Sequence, residues 1–118
     1  MIRPSGTALQ IHIYRKAVDF RKQVNGLSSM IQHQFNLNPM SGQLFVFLNR
    51  KKNKIRVLLW ERNGYVLYGK YLEEDKFCLP KGNDDLITVT LEQLNWLLDG
   101  VDINLIKSHP ERQYDVAY

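Results

Sequence analysis

The sequence has few of the residues that form disulfides, metal sites and membrane spans. Its single cysteine, Cys78, cannot form a disulfide within the chain and has no second cysteine beside it for a metal site. No run of 18 apolar residues occurs, so we expect no transmembrane helix. The N-terminal residues lack both an apolar core and a small-residue cleavage site, so we expect no signal peptide. These absences favour a cytoplasmic protein without a membrane partner.

Acidic residues are nearly absent from the first half of the chain. Residues 1–60 carry ten Lys or Arg and one acid, Asp19, a net charge of +9. Residues 61–118 carry six basic and eleven acidic residues, a net charge of −5. This imbalance favours a basic face that binds a polyanion, because neutralising phosphates releases condensed counterions. The alternative is that folding mixes the two halves and no basic face forms.

No set of residues with catalytic spacing occurs. The histidines His12, His33 and His109 share no metal-ligand spacing, and there is no glycine-rich phosphate loop. Asp19, Glu61 and Asp99 could be combined into a nuclease-like carboxylate trio, but nothing in their spacing singles them out. The sequence therefore predicts no catalytic residue, no metal and no cofactor.

The first 43 residues predict one strand and a helical region. Residues 8–14 alternate apolar and polar side chains, as in a short strand. Asp19 is placed as the N-cap of a helical turn, and a second helix is predicted to follow Gly26. Its apolar stripe is Leu27, Met30, Ile31 and Phe35. Asn38-Pro39 and Ser41-Gly42 are expected to end that helix.

Three consecutive strands are predicted over residues 43–49, 54–61 and 65–72. Asn63-Gly64 favours a type I′ hairpin turn, which would place Trp60 opposite Leu67 and Leu58 opposite Gly69. Both faces of this meander carry large side chains. We therefore expect helices on one side of the sheet and a partner surface on the other.

The last part of the chain predicts one or two further strands and a helix. The strand candidates are residues 77–80 and 86–90. Thr90 and Gln93 form a capping box, and Gly100 is a natural C-terminal stop. The helix between them has the apolar stripe Leu91, Leu94, Leu97 and Leu98. The fold class is therefore α+β. We expect a single domain over residues 1–118, with an antiparallel sheet of four to five strands, helices before and after it, and a frayed tail at 107–118.

The turn between the first two meander strands is strongly basic. Five basic side chains occupy seven positions: Arg50, Lys51, Lys52, Lys54 and Arg56. Such a turn either binds phosphate or protects exposed strand edges from aggregation. Arg21 and Lys22, after the first strand, could extend a phosphate-binding surface, and Tyr71 or Tyr65 could stack on single-stranded bases.

A string of motifs over about residues 9–103 resembles one family. Its runs are 18–22, 25–27, 38–39, 41–47, 49–50, 60–64 and 94–102, in the family's order and spacing. They are similar to those of the TnpB accessory proteins, encoded by the second open reading frame of insertion sequence 66 and its relatives. The motif residues are Asp19, Gly26, Leu27, Pro39, Trp60, Gly64, Pro80, Trp96 and Gly100. The family usually has a proline where Ala17 stands and often an acid where Asn25 stands, so the sequence departs from it only locally.

The resemblance implies a bacterial, non-catalytic accessory protein of DNA transposition and recombination. A separate DDE-type transposase of the same element would cut and join the DNA, and the expected partners are element DNA and that transposase. Because basic residues at Arg50 and Lys54 fit the family motif, the resemblance favours phosphate contact by the hairpin. The alternative is a protein–protein adaptor that docks the transposase through Trp96, Tyr68 and the acidic second half. Oligomeric state stays open.

Overall fold

The computed structural model describes residues 9–105, which form a five-stranded sheet and two helices. In chain order the elements are β1 (Ile11–Ala17), α1 (Val24–Gln34), β2 (Leu44–Leu48), β3 (Lys54–Glu61), β4 (Gly64–Tyr71), β5 (Leu86–Val89), α2 (Leu91–Leu98) and a 3₁₀ turn (Ile103–Leu105). No helix within this range is long and apolar enough to cross a bilayer. The tail predicted to fray, residues 107–118, lies outside the described residues.

The sheet is mixed, with the strand order β4-β3-β2-β1-β5. β2, β3 and β4 form the predicted antiparallel meander, and β5 pairs antiparallel with β1. β1 and β2 are parallel, because the long connection through α1 returns the chain to the same end of the sheet. The α+β class is confirmed, with a mostly antiparallel sheet. The first strand begins at Ile11 and extends to Ala17, three residues beyond the predicted end.

The two helices cover opposite faces of the sheet, so the prediction of helices on one face only is wrong. On the α1 side, Leu27 and Ile31 pack against Phe45, Phe47 and Leu58. On the α2 side, three leucines pack against apolar strand residues, a cluster that includes Leu94, Leu97, Leu98, Leu44, Val46 and Val57. Strand alternation explains this two-sided burial, since all five side chains of β2 are apolar and buried. Neither sheet face is left as a bare partner surface.

Asp19 is not a helix N-cap. α1 is the one helix of this region, and it begins at Val24, with Gln23 as an N-cap that makes no side-chain hydrogen bond. Asp19 instead accepts a hydrogen bond from the backbone N–H of Arg21 at 2.9 Å, which closes a local turn. Gly26 therefore lies in the first turn of α1 rather than before it. A Cβ there would lie 3.1 Å from the Cβ of Lys22, so only a glycine fits without displacing that side chain.

The predicted pairing register of the β3–β4 hairpin is wrong by two residues. Glu61 pairs with Gly64, so the two-residue loop is Arg62-Asn63 and Trp60 lies opposite Tyr65. Arg62 adopts a left-handed φ of 59°, and neither Asn63 nor Gly64 has a positive φ, so no type I′ turn forms at Asn63-Gly64. A shift of two residues keeps each side chain on its predicted face, because the period of a strand is two.

Residues 77–80 do not form a strand, although Phe77 is fully buried in the α2-side core. The strand at residues 86–90 is confirmed as β5. The capping box is also confirmed: the Thr90 hydroxyl accepts from the Gln93 N–H, and the Gln93 side chain accepts from the Thr90 N–H. Leu91 does not join the buried stripe, because it is 41% exposed at the first position of α2.

Candidate nucleic-acid interface

The basic turn between β2 and β3 is held in shape by two asparagines. The Asn49 side chain donates to the Asn53 side chain at 2.7 Å and accepts from the Lys54 backbone N–H at 2.9 Å. The Asn49 carbonyl accepts from the N–H of Lys52, a residue with φ of 59°. The Lys52 carbonyl in turn accepts from the N–H of the buried Phe77 at 2.7 Å. The turn is therefore fixed to the core, and its basic side chains project from an ordered backbone.

This turn forms one wall of a cleft of about 660 Å³, which we call the basic cleft. The opposite wall is the end of β1 and the turn after it, residues 17–20. Three of the predicted basic residues line the cleft, and the predicted stacking residue Tyr71 lies beside them: Arg50, Lys51, Lys54 and Tyr71. The Lys54 ammonium lies 5.4 Å from the centre of the Tyr71 ring, which is 53% exposed. A cation beside an exposed aromatic ring can meet a phosphate and a base together.

Arg56 does not face the cleft as a free cation. Its guanidinium donates to the carbonyl oxygens of Phe20 and Lys22 at 3.0 and 2.9 Å and lies 4.5 Å from the centre of the Phe20 ring. Because Arg56 is on β3 and Phe20 follows β1, these contacts tie the far wall of the cleft to the sheet. Arg56, predicted to contact nucleic acid, is thus placed where it shapes the cleft.

Arg21 is paired with Asp19. The closest approach of their charged groups is 2.6 Å, and the Arg21 side chain is 91% exposed. The side-chain hydrogen bond from Arg21, followed by the one from its backbone, lowers the pKa of Asp19 from 3.8 to about 2. Asp19 is therefore ionised at neutral pH, and Arg21 adds little net charge. Lys22 is exposed beside this pair, outside the lining of the cleft.

Four cations of the basic turn make no ion pair with any other described residue. Within residues 9–105 the ion pairs are Lys16–Asp85 and Arg21–Asp19, and neither involves the turn. The four cations are all exposed: Arg50, Lys51, Lys52 and Lys54. Of the eight predicted contact residues, the structure brings Arg50, Lys51, Lys54 and Tyr71 around one cleft and places Lys52 on the same turn.

Sequence reasoning missed the side chains that shape the cleft, namely Phe20, Asn49 and Asn53. The asparagines had a usable signal, since Asn residues that bracket a short polar run favour side-chain-capped turns. Phe20 had none, because its position depends on Arg56, 36 residues later in the chain.

The residues considered for chemistry lie apart from this cleft, except Asp19. His12 is buried, with its Nε2 atom 2.6 Å from the Gln43 side-chain oxygen and its ring stacked on Phe45 at 5.2 Å. His33 is exposed on α1, Cys78 is half-buried, and His109 lies outside the described residues. In the described part of the chain, no three His, Cys, Asp or Glu side chains are grouped so that they could hold a metal ion.

The adaptor residues lie on the α2 side of the sheet. Tyr68 is half-buried and packs against the α2-side core, and Trp96 is half-buried on α2. Lys70, beside Tyr68 on β4, donates to the Leu98 carbonyl at 2.7 Å, near the end of α2. The acidic residues 73–75 are exposed in the loop that follows β4.

Comparison with known proteins identifies the family of this chain. The model of the family described as IS66 Orf2-like protein matches residues 9–108, almost the whole chain. Two uncharacterized proteins of Sinorhizobium fredii are also similar. Protein y4jC is 31% identical over 113 residues, 96% of each chain, and y4hO is 31% identical over 99 residues, 84% of this chain and 86% of its own. No solved structure matches.

The chain belongs to the IS66 Orf2-like family, the TnpB proteins of insertion sequence 66. The resemblance seen in the sequence is thereby confirmed. Membership of this family makes the protein a transposition-associated accessory protein.

Proposed function

We propose that this protein binds the DNA of its transposable element through the basic cleft and has no catalytic activity of its own. A separate DDE-type transposase would then cut and join the DNA, as the family resemblance implies. The observation that carries this proposal is the arrangement of the basic turn, in which exposed cations that pair with no acid of residues 9–105 project from a fixed backbone beside an exposed tyrosine.

The position of the basic turn in the sheet favours phosphate contact over protection of a strand edge. Lysines that protect an edge lie on the outermost strand, where backbone groups are unpaired. Here the basic turn joins β2 and β3, which are both interior strands. The outermost strand on that side is β4, and its single charged side chain, Lys70, is bonded to the end of α2. The basic side chains are therefore concentrated away from the edge that would need them.

A protein–protein adaptor is the second candidate. The observation that favours it is the exposed apolar surface around α2, where Leu91 is 41% exposed, Val101 39% and Leu105 75%. Half-buried Trp96 lies on the same helix. Docking by such a surface depends little on salt, whereas phosphate contact depends on it steeply.

A triple substitution tests the proposal. Replacing Lys51, Lys52 and Lys54 with Gln should weaken DNA binding across sequences and reduce the slope of log affinity against log salt by up to about three units. Thermal stability should barely change, because these exposed charges make no ion pair within residues 9–105. Lys81→Gln, which removes one exposed positive charge outside the lining of the cleft, is the control.

The outcomes separate the two candidate functions. The same triple variant should reduce transposition of the element in cells if the cleft serves its function. A variant that binds DNA normally but precipitates or self-associates would show that the lysines protect against aggregation. A tagged protein that captures the transposase equally well with and without the substitutions, and binds no DNA, would favour the adaptor.

A further inference from the structure

A second hollow lies on the α1 side of the molecule, and its lining carries no charge. Its volume is about 610 Å³. Its walls are the exposed side of α1 and the segment that follows it, residues 36–40, with one tyrosine from β4. The polar lining is mainly carboxamide: Asn25, Gln32, Asn36 and Asn38, with Ser28. We call this the amide hollow.

The aromatic wall of the amide hollow is held in a fixed orientation. The Tyr65 ring packs edge-on against Trp60, with ring centres 5.0 Å apart and planes at 75°. Leu37, Pro39 and Met40 supply the aliphatic part of the lining, and Met40 is 53% exposed. The side chains of Asn25, Gln32 and Asn36 make no hydrogen bond within the described residues. The hollow thus offers an aromatic ring, an exposed thioether and unused amide donors and acceptors.

The amide hollow and the basic cleft lie on the same side of one strand. Tyr65 and Tyr71 are six residues apart on β4, so their side chains share a face and lie about 20 Å apart along the strand. Leu67 and Gly69 lie between them on that face; Leu67 is half-buried and packs against the α1-side core, and a Cβ at Gly69 would meet only the Ile55 carbonyl, at 3.7 Å. No acidic residue occurs from 62 to 72. Along β4 the surface between the two sites therefore carries no negative charge, and the residues that separate the two tyrosines on it are a half-buried leucine and a glycine.

We infer that the amide hollow binds a base of single-stranded DNA whose phosphates lie in the basic cleft. This inference rests on the function proposed above and specifies the form of DNA bound. A hollow lined by carboxamides suits the hydrogen-bonding edge of a base, and Tyr65 provides a surface for stacking. A phosphate would find no cation there. A duplex keeps its bases stacked and paired, so it cannot place one in the hollow.

The distance between Tyr65 and Tyr71 sets the length of single-stranded DNA that can reach both sites. About 20 Å corresponds to about six nucleotides at the spacing of 3.4 Å per nucleotide within one DNA strand, and to fewer if the strand is extended. Oligothymidylates should therefore gain affinity steeply up to about six nucleotides. Beyond that length, the gain should reflect only the larger number of binding positions.

The test uses the fluorescence of Trp60 in a Trp96→Phe variant, so that the one remaining tryptophan lies beside the amide hollow. Twelve-nucleotide oligothymidylate should change Trp60 emission and bind at least tenfold more tightly than a twelve-base-pair duplex at the same salt. Tyr65→Leu should reduce binding of the single strand about tenfold, which is the usual effect of losing one stacked base. It should leave duplex binding unchanged.

Substituting two exposed amides of the hollow tests the same site independently, in case Tyr65→Leu loses affinity because it folds poorly. The double variant Asn25→Ala, Gln32→Ala should also lose affinity for the single strand, whereas Asn95→Ala, an exposed amide on α2, should not. Equal binding of single strand and duplex, with no effect of these hollow variants, would overturn this inference and leave DNA binding by the cleft intact. Failure to bind either form of DNA would overturn both.

Discussion

Replacing Arg56 with Met should destabilise the protein far more than replacing any lysine of the basic turn. The guanidinium donates two hydrogen bonds to backbone carbonyls, of Phe20 and Lys22, and lies 4.5 Å from the centre of the Phe20 ring. A hydrogen bond that involves a charged group contributes about 1.5–3 kcal/mol, and an exposed cation–π contact about 0.5–1 kcal/mol. Since Arg56 is only half-buried, water can replace part of this. We therefore expect a loss of about 2–3 kcal/mol in the free energy of unfolding.

Urea denaturation measures this loss, with an unchanged dependence on denaturant showing that the folded state is still compact. Arg56→Lys is the matched control, because it keeps the charge but places a shorter ammonium where the planar guanidinium packs on the Phe20 ring and donates both hydrogen bonds through one terminal nitrogen. It should recover less than half of the stability lost in Arg56→Met. Lys54→Gln, two residues earlier on the same strand, should be close to neutral. An Arg56→Met protein that unfolds at the wild-type midpoint would refute the assignment of Arg56 as a support of the cleft.

Three further predictions follow from the turn geometry, the charged pair and the family assignment. Arg62→Gly should raise the free energy of unfolding by about 0.5–1 kcal/mol, because Arg62 has a φ of 59°, while Gly64→Val should be nearly neutral in the same thermal melts. The lowered pKa of Asp19 means that its pairing with Arg21 stabilises the fold above about pH 4 and is lost as the pH falls towards 2; a carboxyl titration by NMR that gives an ordinary pKa would contradict this. The purified protein should neither cleave nor join DNA with Mg²⁺ or Mn²⁺, and cleavage that disappears in an Asp19→Ala or Asp99→Ala variant would refute that expectation.

The parts of the fold that the sequence predicted correctly are those determined by local chemistry. The capping box of α2 needs only Thr90 and Gln93, three residues apart, and both of its hydrogen bonds are present. The apolar period of α1 placed Leu27 and Ile31 in the core, although the start of the helix was misplaced. Asp19 was misplaced because the same side chain can close a turn or cap a helix, and Arg21 supplies the donors that decide between them.

In the β3–β4 hairpin, cross-strand packing outweighs the local turn preference of Asn63-Gly64 and determines the register. In the observed register Leu58 lies opposite Leu67, and Trp60 packs on Tyr65. The type I′ register would have placed Leu58 opposite Gly69 and lost both contacts. Cross-strand pairs of this kind contribute about 0.2–1 kcal/mol each. Several such pairs along two eight-residue strands outweigh the strain of a left-handed Arg62, which is about 1–2 kcal/mol.

The candidate site was predictable in charge but not in shape. The basic run marked the turn, yet the sequence did not reveal which of its cations are free. In the sequence, Arg56 and Arg21 cannot be distinguished from the lysines of the basic turn. The fold distinguishes them, because it brings Arg56 to the Phe20 carbonyl and Arg21 to Asp19. The parallel pairing of β1 with β2 brings the turn after β1 beside the turn after β2. That long-range pairing creates the cleft.

The salt dependence of DNA binding tests the central claim most directly. The affinity of the wild-type protein for a duplex of element DNA would be measured from about 50 to 200 mM salt. With Arg50, Lys51, Lys52 and Lys54 free to contact phosphates, the slope of log affinity against log salt should be about −3 to −4, at about −0.9 per contact. A slope near zero, or no binding at the lowest salt, would contradict the account and leave protein docking as the function of this fold.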